Sequence, residues 1–288
     1  MERHRVPPEH VDHCARHTSR RRRRPTAELV DRLPHLSLPE AVQRLVDEGT
    51  PFVLAVDAQD RARLGDAFAE ATPGGAAGDD RARPAAYAAL QLLLAKSVGT
   101  PYQHASEGVD GLIHDVFPSA DQLDQPNTSA GATEPFSFHA DKSCSAARTH
   151  SPDWVTLACV RNVEGGATHV ASLRRITGSL APGDVARLAE PDFRFGSDPT
   201  NIGPILTEGP TGRLQVRLST DVTPLNPEAD EAYRALLRAA AAVADDVVLQ
   251  PGEILFLPNK ACVHGRSRFT PHGDPGHRRF LQRVYIRR

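Results

Sequence analysis

Three side chains of this sequence could together hold a metal ion. His139 and Asp141 are separated by one alanine, and His264 follows much later in the chain. Side chains two residues apart in a strand point to the same side, so His139 and Asp141 can reach one ion. Two histidines and one carboxylate hold non-haem Fe(II) on one face and leave other positions open for a co-substrate and O2. We therefore predict His139, Asp141 and His264 as the metal ligands and the catalytic centre.

His264 must come from a strand distant from the first two ligands. The segment 253–257 is rich in isoleucine, leucine and phenylalanine, and a Pro-Gly turn precedes it. Such a run, entered through a turn, is typical of a buried strand. We predict that this strand leads the chain towards His264.

The C-terminal segment 278–286 predicts a last strand with arginines on an inward face. Period-two alternation places one set of side chains together, namely Arg279, Leu281, Arg283 and Tyr285. Buried guanidinium groups need anionic partners, and a planar guanidinium binds a carboxylate through two parallel hydrogen bonds. This face therefore indicates ligands that carry carboxylates. For Arg287 and Arg288 we favour the alternative, an edge strand with solvated arginines.

The length and composition indicate a single globular protein, which is consistent with an enzyme. It has 288 residues, 40% of them hydrophobic, and 34 basic against 36 acidic residues. That length can bury one sizeable core. No run of about 18 apolar residues and no signal-peptide pattern is present, so we expect no membrane segment and a cytoplasmic location. The four cysteines show neither metal spacing nor a disulfide framework, which favours reduced thiols.

The first 25 residues differ from the rest. They contain several histidines and the unbroken arginine run 20–24. Charge blocks of this kind usually stay disordered, so we predict a disordered basic segment, 1–25, before a single domain, 26–288. Binding of nucleic acid would require basic and aromatic residues interleaved through the folded part. With 5% aromatic residues and a net charge of −2, we expect no nucleic-acid partner.

Helices are predicted around a β-rich second half. The patterns favour helices at 38–48, 61–71, 85–96 and 227–244, a strand at 52–56, a flexible link at 73–84, and mostly strands after residue 111. We see no repeat that would signal a solenoid. An early H-x-D strand beside a late histidine strand favours a mainly β fold with flanking helices. Its core would be a double-stranded β-helix, or jelly roll.

Several segments carry a resemblance to a known family. They are residues 92–99, 111–118, 151–161, 166–172 and 263–283. Together with the three predicted ligands, they resemble the Fe(II)/2-oxoglutarate-dependent oxygenases of the clavaminate synthase-like group, within the taurine dioxygenase-like superfamily. The similarity is to amino-acid hydroxylases such as asparagine oxygenase and the arginine hydroxylases. It covers about two thirds of the chain.

The resemblance implies further site residues. Arg279 matches the arginine that binds the distal carboxylate of 2-oxoglutarate, and Arg278 is the alternative because an insert leaves the register open by one residue. Thr168 matches a threonine whose hydroxyl assists the same co-substrate. Arg283 matches the arginine that holds a substrate's α-carboxylate, and we expect it to touch neither the iron nor 2-oxoglutarate. Ser129 matches a polar substrate contact.

Two departures from the family pattern bear on substrate and outcome. Similar enzymes use H-x-E, whereas this chain has Asp141, whose shorter arm still supplies one oxygen. A carboxylate there leaves no position for chloride, so halogenation is not expected. Arginine-specific members bind the guanidinium with two acids, and the matching segment here keeps only Asp221. That weakens arginine as the substrate and leaves a cationic, amide or hydroxyl-bearing side chain open.

The function implied is hydroxylation of an unactivated C–H group in a small amino acid or amino-acid-derived substrate, in specialised, antibiotic-type biosynthesis. Fe(II), 2-oxoglutarate and O2 would be required. Desaturation, epoxidation or cyclisation on the same fold is the first alternative. A non-catalytic jelly-roll binding protein is less favoured because the triad and Arg279 are intact. Whether the substrate is free or tethered to a carrier protein, and which oligomer forms, stays open.

Overall fold

The computed structural model describes residues 1–18, 34, 36–64, 85–104, 111–144 and 151–288. The arginine run at 20–24, the link predicted at 73–84 and most of the helix predicted at 61–71 lie outside these residues. The chain within them is mainly β with flanking helices, as the sequence predicts.

Sixteen strands are present in the described residues. They are β1 Arg3–Arg5, β2 Phe52–Ala55, β3 Thr100–Tyr102, β4 His114–Val116, β5 Phe136–His139, β6 Trp154–Arg161, β7 Thr168–Ser172, β8 Phe193–Phe195, β9 Ile202–Gly203, β10 Leu206–Glu208, β11 Leu214–Val216, β12 Val222–Pro224, β13 Asp245–Val247, β14 Glu253–Pro258, β15 Cys262–Arg266 and β16 Phe280–Arg287. The helices are α1 Pro8–Thr18, α2 Glu40–Glu48, α3 Ala58–Arg63, α4 Ala85–Val98, α5 Leu173–Ser179, α6 Pro182–Leu188 and α7 Pro227–Val243, with a 3-10 turn at Pro275–His277.

Two sheets form the centre of the molecule. The larger has the order β1-β2-β14-β6-β16-β3, with β4 also paired to β16, and the smaller has the order β13-β7-β15-β5. Two minor sheets, β12-β8-β9 and β10-β11, lie outside this pair. Only β1 and β2 pair in parallel among the described strands. Because neighbours in both sheets are distant in sequence, residues far apart in the chain meet at one site.

Period-two alternation divides each central strand between two cores. In β14, Ile254 and Phe256 belong to the cluster under α1, α2 and α4, whereas Leu255 and Leu257 belong to the cluster between the sheets. That second cluster also contains Val170 of the smaller sheet. A third cluster packs the other face of the smaller sheet against α5, α6 and α7. Successive side chains of a strand point to opposite faces, so a nearly continuous apolar run can fill two cores.

The long helix α7 begins where its sequence predicts. The Asn226 side chain accepts a hydrogen bond from Ala229 N, and Pro227 occupies the first turn. Such an N-cap followed by proline satisfies the first free N–H groups and presets the helical φ. The helices predicted near residues 38–48, 85–96 and 227–244 are all found, within two residues at their ends.

Two short helices, which the sequence patterns did not indicate, lie among the strands that dominate after residue 111. Helix α5 is capped by Ser172, whose hydroxyl accepts from Arg175 N, and α6 begins with Pro182. Each has seven residues. Two turns are too short for a helical period to stand out in a sequence, so packing on the smaller sheet decides them.

The N-terminal prediction is wrong for residues 3–18. Strand β1 pairs with β2, and α1 packs on α4. Val6, Val11 and Cys14 are at most 1% exposed within the cluster under the larger sheet. The apolar residues of this segment are few but share one face, and burying that face outweighs the polar composition from which disorder was inferred.

The structure bears on two predictions, that the chain has no membrane segment and that its cysteines are reduced. No helix within the described ranges combines the length and the apolar character that crossing a bilayer requires. All four cysteines are free thiols, and three of them are buried. The cytoplasmic location stays a prediction.

Candidate metal centre

Strand pairing brings the two histidines together. His139 is the last residue of β5 and His264 lies in β15, where the two are direct antiparallel partners. Their ring centroids are 4.4 Å apart. Gly265 follows His264, and a Cβ at this glycine would lie 2.6 Å from Phe136 O. The close approach of the two strands therefore requires a glycine beside the second histidine.

Asp141 completes the predicted triad. Its Oδ1 lies 3.3 Å from His139 Nε2 and 3.7 Å from His264 Nε2. One ligand atom from each of the three residues lies within 4.8 Å of the other two, and all three residues are buried. The carboxylate faces the histidines, as the H-x-D motif predicts, although Asp141 itself lies two residues beyond the end of β5.

The electrostatics of the triad suit a divalent cation. Burial, with the neighbouring His139, lowers the pKa of His264 to about 3, so its imidazole is neutral. Burial alone would raise the pKa of Asp141, but Arg283 and the two histidines hold this pKa well below its usual range. His139 Nδ1 lies 2.8 Å from Ser137 O. A carbonyl only accepts, so Nδ1 donates, and Nε2 is the nitrogen that faces Asp141.

The triad forms part of the wall of a cavity between the two sheets. Apolar side chains and three arginines form much of the remaining wall. The residues that line it are Val116, Ser129, Phe136, His139, Asp141, Leu157, Thr168, His264, Gly265, Arg266, Arg279, Leu281 and Arg283. A concave site with apolar walls and a few convergent polar groups is typical of small-molecule binding.

Arg279 lies on the cavity wall next to Thr168. Its Nη2 donates to Thr168 Oγ1 at 3.4 Å, and its Nε has no hydrogen-bond partner among the described residues. Burial lowers the pKa of this guanidinium to about 10, which leaves it cationic at neutral pH. Gly166 makes room for it, since a Cβ there would lie 3.1 Å from Arg279 Cδ. A buried cation with unused donor capacity is suited to an incoming carboxylate.

Arg278, the alternative, does not line the cavity. Its Nε donates to His272 O at 3.0 Å and its Nη1 to Pro118 O at 3.3 Å. A β-bulge between Phe280 and Leu281 interrupts the regular register of β16. Despite the bulge, Arg279, Leu281 and Arg283 all line the cavity, in agreement with the face predicted for this segment.

The predicted substrate contacts are only partly brought together. Arg283 and the partly buried Ser129 line the cavity. Arg283 Nη1 also lies 3.1 Å from Asp141 Oδ2, a contact with a predicted metal ligand that the sequence did not indicate. Asp221 is exposed and is not part of the cavity wall; its carbonyl accepts from Gly196 N.

Sequence reasoning missed three residues that organise the site. Asn259, 1% exposed, bonds the backbone of Asp141. Arg266 lines the cavity and donates to Glu134 O and Thr128 O. The Glu164 carboxylate accepts from Arg279 N. The signal available for the first two was their position within five residues of His264. Glu164 offered none, because its partner is a backbone group far along the chain.

Comparison with known proteins gives the class of this chain. The family model for the taurine catabolism dioxygenase TauD, TfdA family matches residues 84–285. The chain therefore belongs to the TauD/TfdA dioxygenase family.

Three similar proteins illustrate the relationship. The L-lysine 3-hydroxylase of Catenulispora acidiphila is 30% identical over 214 residues, which are 68% of this chain and 57% of that protein. The L-asparagine oxygenase of Streptomyces coelicolor is 32% identical over 209 residues, 69% of this chain and 61% of that one. The crystal structure of the non-haem iron oxygenase OrfP with Fe and α-ketoglutaric acid has a TM-score of 0.77 and 25% identity, over 99% of this chain and 94% of that one. The chain thus matches about three fifths of the length of the two curated relatives.

Proposed function

We propose that the chain is an Fe(II)- and 2-oxoglutarate-dependent hydroxylase with His139, Asp141 and His264 as iron ligands. The observation that carries this proposal is the convergence of two imidazoles and one carboxylate within 4.8 Å, in a cavity that also contains Arg279. This donor set is the one that non-haem Fe(II) oxygenases use. Bound Fe(II) would supply the oxidation of an unactivated C–H group by O2, coupled to decarboxylation of 2-oxoglutarate to succinate and CO2.

The co-substrate would be held by Arg279 and Thr168. The arginine is 4% exposed, and its Nε offers a free N–H to a carboxylate. A two-point guanidinium contact would orient the distal carboxylate of 2-oxoglutarate and direct its other end towards the triad. Thr168 Oγ1 already accepts from the same guanidinium, so its hydroxyl hydrogen is available for the bound carboxylate. Arg278 is committed to backbone carbonyls and is not assigned this role.

A substrate carboxylate would bind Arg283, beside the triad. Arg283 lies on the same face of β16 as Arg279 and pairs with Asp141, so a bound substrate would sit beside the metal ligands. Ser129 would add a hydrogen bond to the substrate. Asp221, exposed and near the Cys144 side chain, would meet the far end of a longer substrate. Leu157 and Leu281 would exclude water from the reacting carbon.

We assign the substrate class to small amino acids or their derivatives, in specialised, antibiotic-type biosynthesis. Support comes from the names of the relatives, which act on lysine and asparagine. The two facing sheets, with the cavity between them, fit a double-stranded β-helix around the iron. One catalytic domain would include residues 3–18 as well, because they pack into the core under the larger sheet.

Desaturation, epoxidation or cyclisation would use the same residues. Which of these outcomes occurs depends on which carbon of the substrate lies nearest the iron. The length of the substrate determines the position of that carbon. A non-catalytic binding protein is disfavoured by the buried triad, since an unused set of two histidines and one carboxylate would be costly to bury.

The decisive experiment measures succinate formation by the purified protein with Fe(II), 2-oxoglutarate and O2. Free amino acids and biosynthetic amines are added one at a time, and the product with the best stimulator is identified by mass spectrometry. We expect at least one amino acid to stimulate succinate release and to gain 16 mass units, about the mass of one oxygen atom. Iron binding without succinate formation under any condition would overturn the enzymatic assignment.

A further inference from the structure

The two histidines and the carboxylate of the triad are held by different means. His139 and His264 are paired residues of β5 and β15, so the sheet ladder determines their separation. Asp141 lies two residues beyond the end of β5, outside that ladder. Its own backbone N–H and C=O must therefore find other partners if the carboxylate is to stay in place.

Asn259 supplies both of these partners. Its Oδ1 accepts from Asp141 N at 2.7 Å, and its Nδ2 donates to Asp141 O at 3.0 Å. The same Nδ2 lies 3.0 Å from Ser151 Oγ and 3.1 Å from Pro152 O, where the chain returns to the sheet. Ser151 Oγ also donates to Asp141 O at 3.1 Å. One buried amide thus fixes the ligand residue from both sides of its backbone.

The chain needs this support because of the turn that follows the ligand. Lys142 has a φ of 57°, the left-handed conformation that residues with a side chain rarely adopt. Such a conformation persists only where surrounding contacts hold it. Asn259 bonds Asp141, the residue immediately before this strained position, on both its N–H and its C=O.

We propose that Asn259 is a positioning residue for the metal centre. It sets where Asp141 presents its carboxylate, and so it determines the affinity for the metal, without touching metal, substrate or co-substrate. Asn259 lies in the turn between β14 and β15, five residues before His264. One short stretch of chain thereby supplies one ligand and supports another. The inference rests on the proposed function, since it takes Asp141 to be a metal ligand.

The test compares two matched amide-to-carboxylate variants. Asn259→Asp keeps the size of the side chain but turns an oxygen towards Asp141 O, Ser151 Oγ and Pro152 O, where an N–H group now donates. Gln91→Glu changes an equally buried amide, which donates to Thr156 Oγ1 and Gln282 O on the helix-covered side of the larger sheet. Each full-length variant is titrated anaerobically with Fe(II), and the visible spectrum of the Co(II) form is recorded. Thermal midpoints report the loss of stability.

We expect Asn259→Asp to bind Fe(II) about 10–100-fold more weakly than the parent and to change the Co(II) spectrum, as loss of groups that orient a ligand does. Gln91→Glu should lose thermal stability and keep the parent's affinity and spectrum. Equal Fe(II) affinity in the two variants would overturn the inference. Should Asn259→Asp fail to fold, Asn259→Ala removes both hydrogen bonds to Asp141 without adding a charge, and parental affinity in that variant would likewise overturn it.

Asp141→Ala separates this inference from the proposed function. Loss of tight Fe(II) binding in Asp141→Ala, together with parental binding in Asn259→Asp, would contradict only the role of Asn259. Parental Fe(II) binding in Asp141→Ala would overturn the assignment of the metal centre, and the positioning role with it.

Discussion

Arg283 Nη1 lies 3.1 Å from Asp141 Oδ2, while Asp141 Oδ1 faces the Nε2 atoms of both histidines. The two oxygens of one buried carboxylate are thus divided between a guanidinium and the predicted metal position. Arg283 is 12% exposed and Asp141 6% at the side chain, so water screens this pair little. A residue proposed to bind the substrate is therefore also the counter-ion of a predicted metal ligand.

Replacing Arg283 should destabilise the protein more in the absence of bound metal than in its presence. Arg283→Ala leaves the Asp141 carboxylate buried without its partner, and loss of one member of a buried pair costs about 3–5 kcal/mol. Bound metal would offset part of this cost, because its charge replaces that of the guanidinium. Urea unfolding with and without Co(II) measures both values. Arg283→Lys, which keeps the charge, is the control, and an equal loss in both metal states would contradict the coupling.

Each residue of the triad should be indispensable for metal-dependent activity. His139→Ala, Asp141→Ala and His264→Ala should abolish Fe(II)-dependent succinate formation, and the far-UV circular dichroism spectrum should be retained. Fe(II) should raise the thermal midpoint of the parent and leave that of His264→Ala unchanged, since only a folded protein with an intact site gains stability from the ion. Full turnover by His264→Ala with normal iron content would end the assignment.

Variants of the adjacent Arg278 and Arg279 form a matched pair that tests which arginine binds 2-oxoglutarate. Arg279→Ala should raise the KM for 2-oxoglutarate by about 100-fold or more, because losing one partner of a buried charge pair costs about 3–5 kcal/mol. Arg278→Ala removes an equally large buried side chain whose donors go to backbone carbonyls, so the KM should stay near that of the parent. Steady-state kinetics over a range of 2-oxoglutarate concentrations decide between them. Reversed effects would assign the co-substrate to Arg278.

Asp221 should influence which substrate is preferred. If it meets the polar end of the substrate, Asp221→Asn should change the kcat/KM ratio between the best substrate and its analogues more than the rate with the best one. A site that bonds a polar group discriminates strongly against analogues that leave that site unpaired. Glu208→Gln, an exposed acid on β10, is the control. An unchanged preference over the amino-acid panel would remove Asp221 from the site.

The N-terminal segment should contribute to the stability of the core. Val11 is 0% exposed within the cluster under the larger sheet. Val11→Ala removes two buried methyl groups and should lower the free energy of unfolding by about 2 kcal/mol. Glu9→Ala, on the exposed side of the same helix, should change it far less. A denaturant titration that finds no effect of Val11→Ala would mean that residues 3–18 do not belong to the folded unit.

The residues of the site that could be predicted from sequence are those whose positions follow from strand periodicity. Alternation along the last segment places Arg279, Leu281 and Arg283 together, and the H-x-D motif identified Asp141 as the partner of His139, although Asp141 lies beyond the end of β5. A period of two is local, so it survives without knowledge of the fold. Helices α4 and α7 were also predicted, because both are long and rich in alanine and leucine, which favour helices.

Tertiary structure alone decided the contacts that join distant backbone groups. Asn259 bonds Asp141 across 118 residues, and neither residue's neighbours in sequence indicate the other. The same is true of the Arg283–Asp141 pair, which joins residues 142 positions apart. The fold of residues 3–18 also depended on tertiary packing, because a short amphipathic segment is stable only against the helix and the strand that cover it. The alternation of side chains along a strand is a property of the local chain. The partners of Asp141, in contrast, depend on which strands become neighbours in the sheets.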